Sequence, residues 1–327
     1  MERGGSVGDR PQPAEGVIFT AGAKEGADRA PAGIGLALVV LATLFWSTSG
    51  LFVNLIVDGS GISAIALAFW RDLTTFLCLL SGVAAIKPAL LRVHRADLPW
   101  LAAMGGIGIG SFHVLWNTTV LINGVGISTV LQCNSPVFVT VFAWLLWREP
   151  LTWRKWAALA LAGIGTLLIA RPGAISGVQL SALGLSTALA ASLAYSGITL
   201  FTKKLAGNYE TWTILVYAFG FAALALAPFQ IGRPLPGPIS PVAAGAFLAL
   251  VLITTIMGYL TYTTGLRRIQ ASVASIVAAS EVPFASLLGY VFLAERMDGW
   301  QILGAGLVVS GVILLSLNGR RPRLRVR

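Results

Sequence analysis

Glu281 stands about midway along a run of roughly 22 apolar or small residues, which is about the length that crosses a bilayer. A carboxylate at the bilayer midplane costs roughly 3 kcal/mol or more and is a candidate for function wherever it is kept. Two chemistries suit it. It can exchange a proton as its surroundings change, or it can bind the amino group of a zwitterion. The bland alternative is an interhelical hydrogen bond that only fixes its own helix. Arg71 and Asp72 lie well inside an earlier apolar run. Consecutive residues do not face each other on a helix, so each needs another partner. The Arg71 fork fits a carboxylate through two parallel hydrogen bonds, whether that carboxylate is Glu281 or a substrate's; a fixed structural ion pair is the competing reading.

Further candidates share helical faces. His113, Trp116 and Asn117 are spaced i, i+3, i+4, and so are Tyr259, Tyr262 and Thr263. An imidazole or an amide in hydrocarbon needs partners, so these residues either line a cavity or bond helix to helix. Trp46 and Trp70 are mid-span, away from the interface where tryptophans collect, and either stack on an aromatic or cationic substrate or simply pack. Tyr195 is likewise mid-span. Gln132 and Asn134 lie about 200° apart on a continuous helix, so one of them faces a shared cavity; Asn134, aligned with Ser280 beside Glu281, is the expected one. The expected cavity lining is therefore Trp46, Trp70, Arg71, His113, Asn134, Tyr195, Tyr259 and Glu281.

No enzyme signature accompanies them. There is no Cys/His metal spacing, no phosphate loop and no nucleophile with a base, so no cofactor and no metal is expected. Gly105–Gly110 reads GGIGIG, but it sits inside an apolar run with no strand before it. Cys78 and Cys133 read as reduced packing residues.

These residues must be held by membrane helices. The chain is 56% hydrophobic and 11% charged, with mean hydropathy +0.80; soluble domains carry about 25% charged residues. Several long apolar runs make this an all-α polytopic membrane protein. Ten spans are expected, near 33–57, 62–86, 98–121, 125–147, 152–170, 180–201, 211–229, 241–264, 272–293 and 299–317. The net charge of +10 does not indicate nucleic acid, because Lys and Arg sit in short loops. With the N-terminus inside, nineteen of the 23 Lys and Arg fall on the cytoplasmic side and three on the other, with Arg71 inside a span. That is strong positive-inside bias, with both termini on the cytoplasmic side. Residues 1–30 read as a disordered cytoplasmic tail, 319–327 as a basic one, and 232–238 as a Pro-rich turn.

The chain also repeats. Residues 112–149 align without a gap on 258–295, an offset of 146, placing His113 over Tyr259, Trp116 over Tyr262 and Glu149 over Glu295. Thr43, Ser47, Gly50 and Asn54 align with Ser192, Ser196, Thr199 and Lys203 at an offset of 149. Two five-helix repeats follow, 31–173 and 174–318. Five is odd, so the second enters the membrane inverted, a common plan of secondary transporters. A duplicated bundle without transport is the alternative. Glu149 and Glu295 read as capping or loop-pairing residues. Gly163, Gly165, Gly304, Gly306 and Gly311 make small-residue faces on spans five and ten, suited to scaffold packing or a homodimer contact.

The motifs Leu44-Phe45-Trp46-Ser47, Phe69-Trp70-Arg71, Ser135-Pro136-Val137-Phe138 with Trp147-Arg148-Glu149-Pro150, and Glu281-Val282-Pro283-Phe284 with Ala294-Glu295-Arg296 occur in order. Over residues 33–317 the chain resembles the drug/metabolite transporter superfamily in its ten-span EamA-type form. Within it the chain is most similar to bacterial exporters of amino acids, aromatic ones included. That resemblance implies a proton-linked or facilitated exporter of small metabolites. Other substrates of the same fold, namely nucleotide sugars, vitamins and cationic drugs, are the alternative, followed by a channel, a membrane enzyme or a receptor-like protein. Pro283 sits one residue later than Pro136 predicts, which leaves the bend of span nine open.

Overall fold

A computed structural model describes residues 32–132, 134–169, 182–231, 240–292 and 299–316. Both terminal tails, the Pro-rich turn, Arg171, Arg233 and the stretch holding Glu295 and Arg296 lie outside them. The described residues are helical, with no strand among them. Span one is α1 (Ala32–Trp46) and α2 (Ser49–Ser60), and span two is α3 (Ala64–Ile86). Span three begins with α4 (Leu98–Ala103) and a π-helical stretch (Met104–Gly110), and runs into α5 (Ser111–Gln132). Then come α6 (Ser135–Trp147), α7 (Trp153–Ile169), α8 (Ala182–Leu205) and α9 (Thr211–Leu226). Span eight is α10 (Pro241–Ala249), a second π-helical stretch (Leu250–Met257) and α11 (Gly258–Leu266). Span nine is α12 (Ala271–Ala278) and α13 (Glu281–Phe292), and span ten is α14 (Gly299–Ser316). Among the described residues six helical stretches are long and apolar enough to cross a membrane on their own; those of spans four, nine and ten are shorter.

Local chemistry sets several boundaries. Ser63 and Ser240 accept the amides of Ala66 and Ala243, capping spans two and eight. Gly61, at φ 62°, ends α2 in the left-handed conformation that glycine adopts without a Cβ penalty. Although α5 is helical throughout, its partners along α8 reverse their order. Gly108 lies against Ile198, Thr119 bonds Thr187 and Asn123 bonds the Gly184 carbonyl; then Ser192 bonds Leu131 and Ser196 bonds Ser135. The chain therefore doubles back between Asn123 and Leu131, close to the expected boundary of spans three and four.

The pattern is inside-out. Large apolar side chains such as Leu77, Ile107, Leu145 and Leu224 face outward, while Thr43, Asp72, Asn117, Ser196 and Thr199 are buried. Exposed Trp100, Trp153, Trp212 and Trp300 sit near span ends, the level at which tryptophan settles in a membrane. Halves interlock reciprocally. Span one packs along span eight and touches span nine, and span six packs along α5 and α6. Spans five and ten make the closest pair. A Cβ on Gly165 would come within 2.5 Å of the Gly304 carbonyl oxygen, and one on Gly311 within 3.0 Å of that of Ala158. The small-residue faces of Gly165, Gly304 and Gly311 are thus consumed inside one chain. A homodimer through these spans would have to use their other faces, where Gly163 and Gly306 have open space.

Loop contacts fall into two sets. On one side Lys87 pairs with Glu210, and the Tyr209 hydroxyl donates to Asp97. On that side Lys203 also donates to the carbonyls of Leu266 and Ile269. Glu149 accepts the backbone amides of Ala271 (2.9 Å) and Ser272 (3.3 Å) and the Ser272 hydroxyl, while Lys155 lies 3.4 Å away. A carboxylate from another segment thereby caps span nine. Asn123 with Gly184, and Gly59 beside Ser240 and Ala243, form the other set. The two sets lie at opposite ends of the spans.

Two outcomes are expected. In a chain with both native cysteines replaced, cysteines introduced at Ser63 and Asn208 label from opposite sides of the membrane; labelling from one side contradicts the span count. Gly165→Ala overpacks the contact of spans five and ten and lowers stability by about 1–3 kcal/mol, read as the midpoint of unfolding in detergent.

Candidate functional site

Three interrupted helices build the site. In span one the hydroxyls of Ser47 and Thr48 bond back to the Leu44 and Phe45 carbonyls at 2.7 and 2.6 Å, competing with the helical ladder just after Trp46. Thr48 also meets Thr254 of span eight at 2.8 Å. In span nine Pro283 has no amide to give the Ala279 carbonyl, and the helix breaks at Ala279–Ser280. Glu281 is left in the first turn of α13, where the helix dipole favours a negative charge. Ser280 ties this break to Thr43 of span one at 2.9 Å. In span four the helix ends at Gln132 and resumes at Ser135. Asn134 and Ser280, 146 apart, both stand at these breaks, so the one-residue shift between Pro136 and Pro283 does not move the bend.

Between the breaks lies a small chamber of two lobes, each about 20 Å³, room for about one water. The larger-walled lobe is bounded by Trp46, Arg71, Trp116, Tyr195, Tyr259 and Glu281, among others. Gln132, Tyr195 and Glu281 belong to both lobes. Pockets that hold drug-sized ligands run to roughly 300 Å³ and more, so this conformation is closed around its site. Trp46 is the centre of an aromatic box, with Tyr195, Tyr259 and Tyr262 at 5.8, 5.3 and 4.9 Å between ring centroids. Its indole Nε1 is buried without a hydrogen-bond partner. The box closes because span eight has Gly258 against the indole; a Cβ there would lie 2.5 Å from Nε1.

The charged side chains are held apart. Arg71 donates from Nε to Thr255 Oγ1 at 2.7 Å. Thr255 in turn donates to the carbonyl of Leu250, five residues back, within the π-helical stretch. Among the described residues neither Arg71 nor Glu281 makes an ion pair; the buried carboxylate that meets a base there is Asp72. Its Oδ1 lies 2.6 Å from His113 Nδ1, and His113 Nε2 lies 3.2 Å from the Tyr259 hydroxyl.

Trp46, Arg71, Tyr195, Tyr259 and Glu281 thus meet at the chamber wall. His113 stands one layer behind, through Tyr259. Three of the expected lining residues, His113, Trp70 and Asn134, border neither lobe. Trp70 lines neither lobe and packs on Phe69 at 5.1 Å, because Arg71, about 100° further round the helix, takes the inward face. Asn134 turns its amide onto the Leu131 carbonyl at 2.7 Å, and Gln132 faces the chamber instead. The angle of about 200° holds only for an unbroken helix, and this one ends at Gln132. Asn117 takes the helix-to-helix role, donating to the Ala64 carbonyl at 3.1 Å. Asp72, singled out in the sequence only as a buried charge in need of a partner, and Gln132, set aside there for Asn134, take part in this geometry, as do Thr255 and Gly258, which the sequence did not single out. A carboxylate inside an apolar run was the available signal for Asp72; nothing in the pattern singled out Gly258.

Comparison with known proteins gives the site its context. The sequence model of the EamA-like transporter family matches twice, over residues 33–171 and 182–317. An uncharacterized transporter of Bacillus subtilis, YwfM, is 26% identical over 87% of this chain and 94% of its own. The uncharacterized inner membrane transporter YicL of Salmonella typhimurium is 26% identical over 88% of this chain and 96% of its own. A probable terminal-alkyne amino-acid exporter of Streptantibioticus cattleyicolor is 26% identical over 86% and 94%. A crystal structure of a protein 19% identical in sequence shares the fold, with a TM-score of 0.73 over 89% of this chain and 99% of that one.

Gly258→Ala is expected to displace the Trp46 indole. The tryptophan emission shifts, and half-saturation for transported substrate rises at least tenfold, while the protein still inserts and elutes as the wild type does.

Proposed function

Because the chain belongs to the EamA-like transporter family, we propose that this transporter exports small metabolites, amino acids first among them, across a bacterial inner membrane. The observation that carries this reading is that the Arg71 guanidinium and the Glu281 carboxyl, not paired with each other among the described residues, line one lobe with an aromatic box. A zwitterion brings a carboxylate for the Arg71 fork and an ammonium for Glu281. Its side chain stacks among Trp46, Tyr195 and Tyr259. The relative named as a probable terminal-alkyne amino-acid exporter supports the same substrate class.

Transport proceeds by alternating access around this chamber. The two halves are inverted repeats, with both termini cytoplasmic. Reciprocal packing of span one on spans eight and nine, and of span six on α5 and α6, supports that symmetry, as do the π-helical stretches starting at Met104 and Leu250, 146 apart. The loop charges support the orientation. The aromatic box beside a carboxylate also suits a quaternary cation, the second reading.

Counterflow in proteoliposomes decides between them. L-Phenylalanine is expected to compete at least tenfold better than 3-phenylpropionate, which lacks the ammonium, and than phenethylamine, which lacks the carboxylate. Arg71→Gln should erase most of the difference between phenylalanine and phenethylamine, and Glu281→Gln most of that between phenylalanine and 3-phenylpropionate. A tetraalkylammonium ion or a nucleotide sugar outcompeting every amino acid overturns the amino-acid reading.

A further inference from the structure

We propose that Asp72, His113 and Tyr259 form a proton-loading site that couples proton movement to the chamber, apart from the groups assigned to substrate. The inference rests on the transporter reading above.

Three spans contribute to it. Asp72 comes from α3, His113 from α5 and Tyr259 from α11, and each is at most 2% exposed. The imidazole bridges the other two, 2.6 Å from Asp72 Oδ1 on one nitrogen and 3.2 Å from the Tyr259 hydroxyl on the other. Tyr259 reaches the chamber wall, whereas neither Asp72 nor His113 does. The second Asp72 oxygen is buried with no hydrogen-bond partner among the described residues. A tether between helices would need only one bond from the carboxylate. Here a whole carboxylate is buried, one oxygen idle, at the closed end of a chain of exchangeable hydrogens whose open end is the chamber. The charged and titratable groups facing the imidazole are Asp72 and Arg71 of α3 and Tyr259 of α11. Glu281 of α13 lies on the chamber side of Tyr259. The α9 side presents the Phe219 ring, 6.3 Å away and nearly parallel to the imidazole.

The transfer balances. With His113 Nδ1–H donating to Asp72, Nε2 is the acceptor and the Tyr259 O–H donates to it. A hydronium in the chamber gives a proton to the Tyr259 oxygen as the phenolic proton passes to Nε2. Tyr259 ends neutral, His113 ends as an imidazolium, and the Asp72 carboxylate compensates its charge. The reverse sequence releases the proton when the chamber faces the other side. Arg71, next to Asp72 in the chain, sets the electrostatic background against which the imidazolium forms, so an ammonium or carboxylate entering the chamber alters how readily the site loads.

The chain has only two histidines, which permits a test that needs no substrate. In lipid nanodiscs, ¹⁵N-histidine spectra of the His94→Gln protein report His113 alone; His94 is exposed in a loop. The His113 signal is expected to convert reversibly from neutral Nδ1–H imidazole to imidazolium between pH 5 and 8. Asp72→Asn should move the midpoint by at least one pH unit, and Tyr259→Phe should slow proton exchange at Nε2 at least tenfold. A single neutral tautomer throughout that range, in a protein that stays folded, overturns the proposal in favour of a fixed tether. A second measurement uses L-phenylalanine in proteoliposomes with an imposed pH gradient. The ratio of gradient-driven accumulation to counterflow should fall at least tenfold in His113→Gln; an unchanged ratio also overturns the proposal. If the wild type carries no phenylalanine while His113 titrates as expected, the amino-acid reading fails and the proton site stands.

Discussion

In hydrocarbon a backbone amide or carbonyl has no water to bond, so a helix can be interrupted only where something else satisfies the freed groups. This constraint decides where the site can be. The breaks after Trp46, after Gln132 and before Glu281 each lie against a polar group or the chamber. Ser47 and Thr48 take carbonyls of their own helix, Asn134 takes that of Leu131, and Ser280 bonds Val277 as well as Thr43. Each interruption exposes a short stretch of backbone polarity, and the three converge on one place. Polar side chains that would be costly facing lipid are buried there together, and the outward face is left to Leu, Ile and Trp.

Much of this was legible in the sequence because hydropathy is a property of single residues summed over a run. The spans follow from where apolar runs stop, and the repeat from motifs that recur at a fixed offset. The offset of 146 even places the two helix breaks and the two π-helical stretches at matching positions. What was not legible depends on pairing rather than composition. A π-helical turn is a choice of hydrogen-bond register; Met104–Gly110 is rich in glycine, whereas Leu250–Met257 contains none. Gln132 was passed over for Asn134 by a helical angle that assumes an unbroken helix. Trp70 was chosen for its depth, although the chain beside it commits Arg71 inward. Gly258 matters through an absent Cβ, which only the position of the Trp46 indole reveals.

The repeat explains the scaffold and leaves the chemistry unequal. His113 and Tyr259 occupy equivalent positions and now touch each other across the interface of the halves. Ser135 occupies the position of Glu281 and instead meets Ser196 at 3.3 Å. One half therefore supplies the bases that face inward, Arg71 and His113 with Asp72, and the other supplies Tyr259 and Glu281. A duplicated fold thus gains a polar axis without breaking the packing that holds its halves together. The Glu149 cap on span nine adds a tie at one face only among the described residues.

That polarity bears on why the two chamber charges do not simply neutralise each other. Arg71 is fixed by Thr255, whose hydroxyl is itself held by the π-helical turn. Glu281 is fixed at the start of α13, which Ser280 and Thr43 anchor to span one. Arg71 thus has a hydrogen-bond partner that does not require Glu281, and Glu281 is positioned by its own helix. A direct ion pair would fill the chamber and remove its affinity for a zwitterion, since breaking a buried pair leaves two desolvated charges. On the amino-acid reading proposed above, keeping them apart makes the closed conformation more stable with a zwitterion inside than without one. A ligand shifts a conformational equilibrium only by its difference in affinity for the two states. In the mechanism proposed above, the separated Arg71 and Glu281 provide that difference, and the helix breaks that hold them apart serve transport rather than being defects in the bundle.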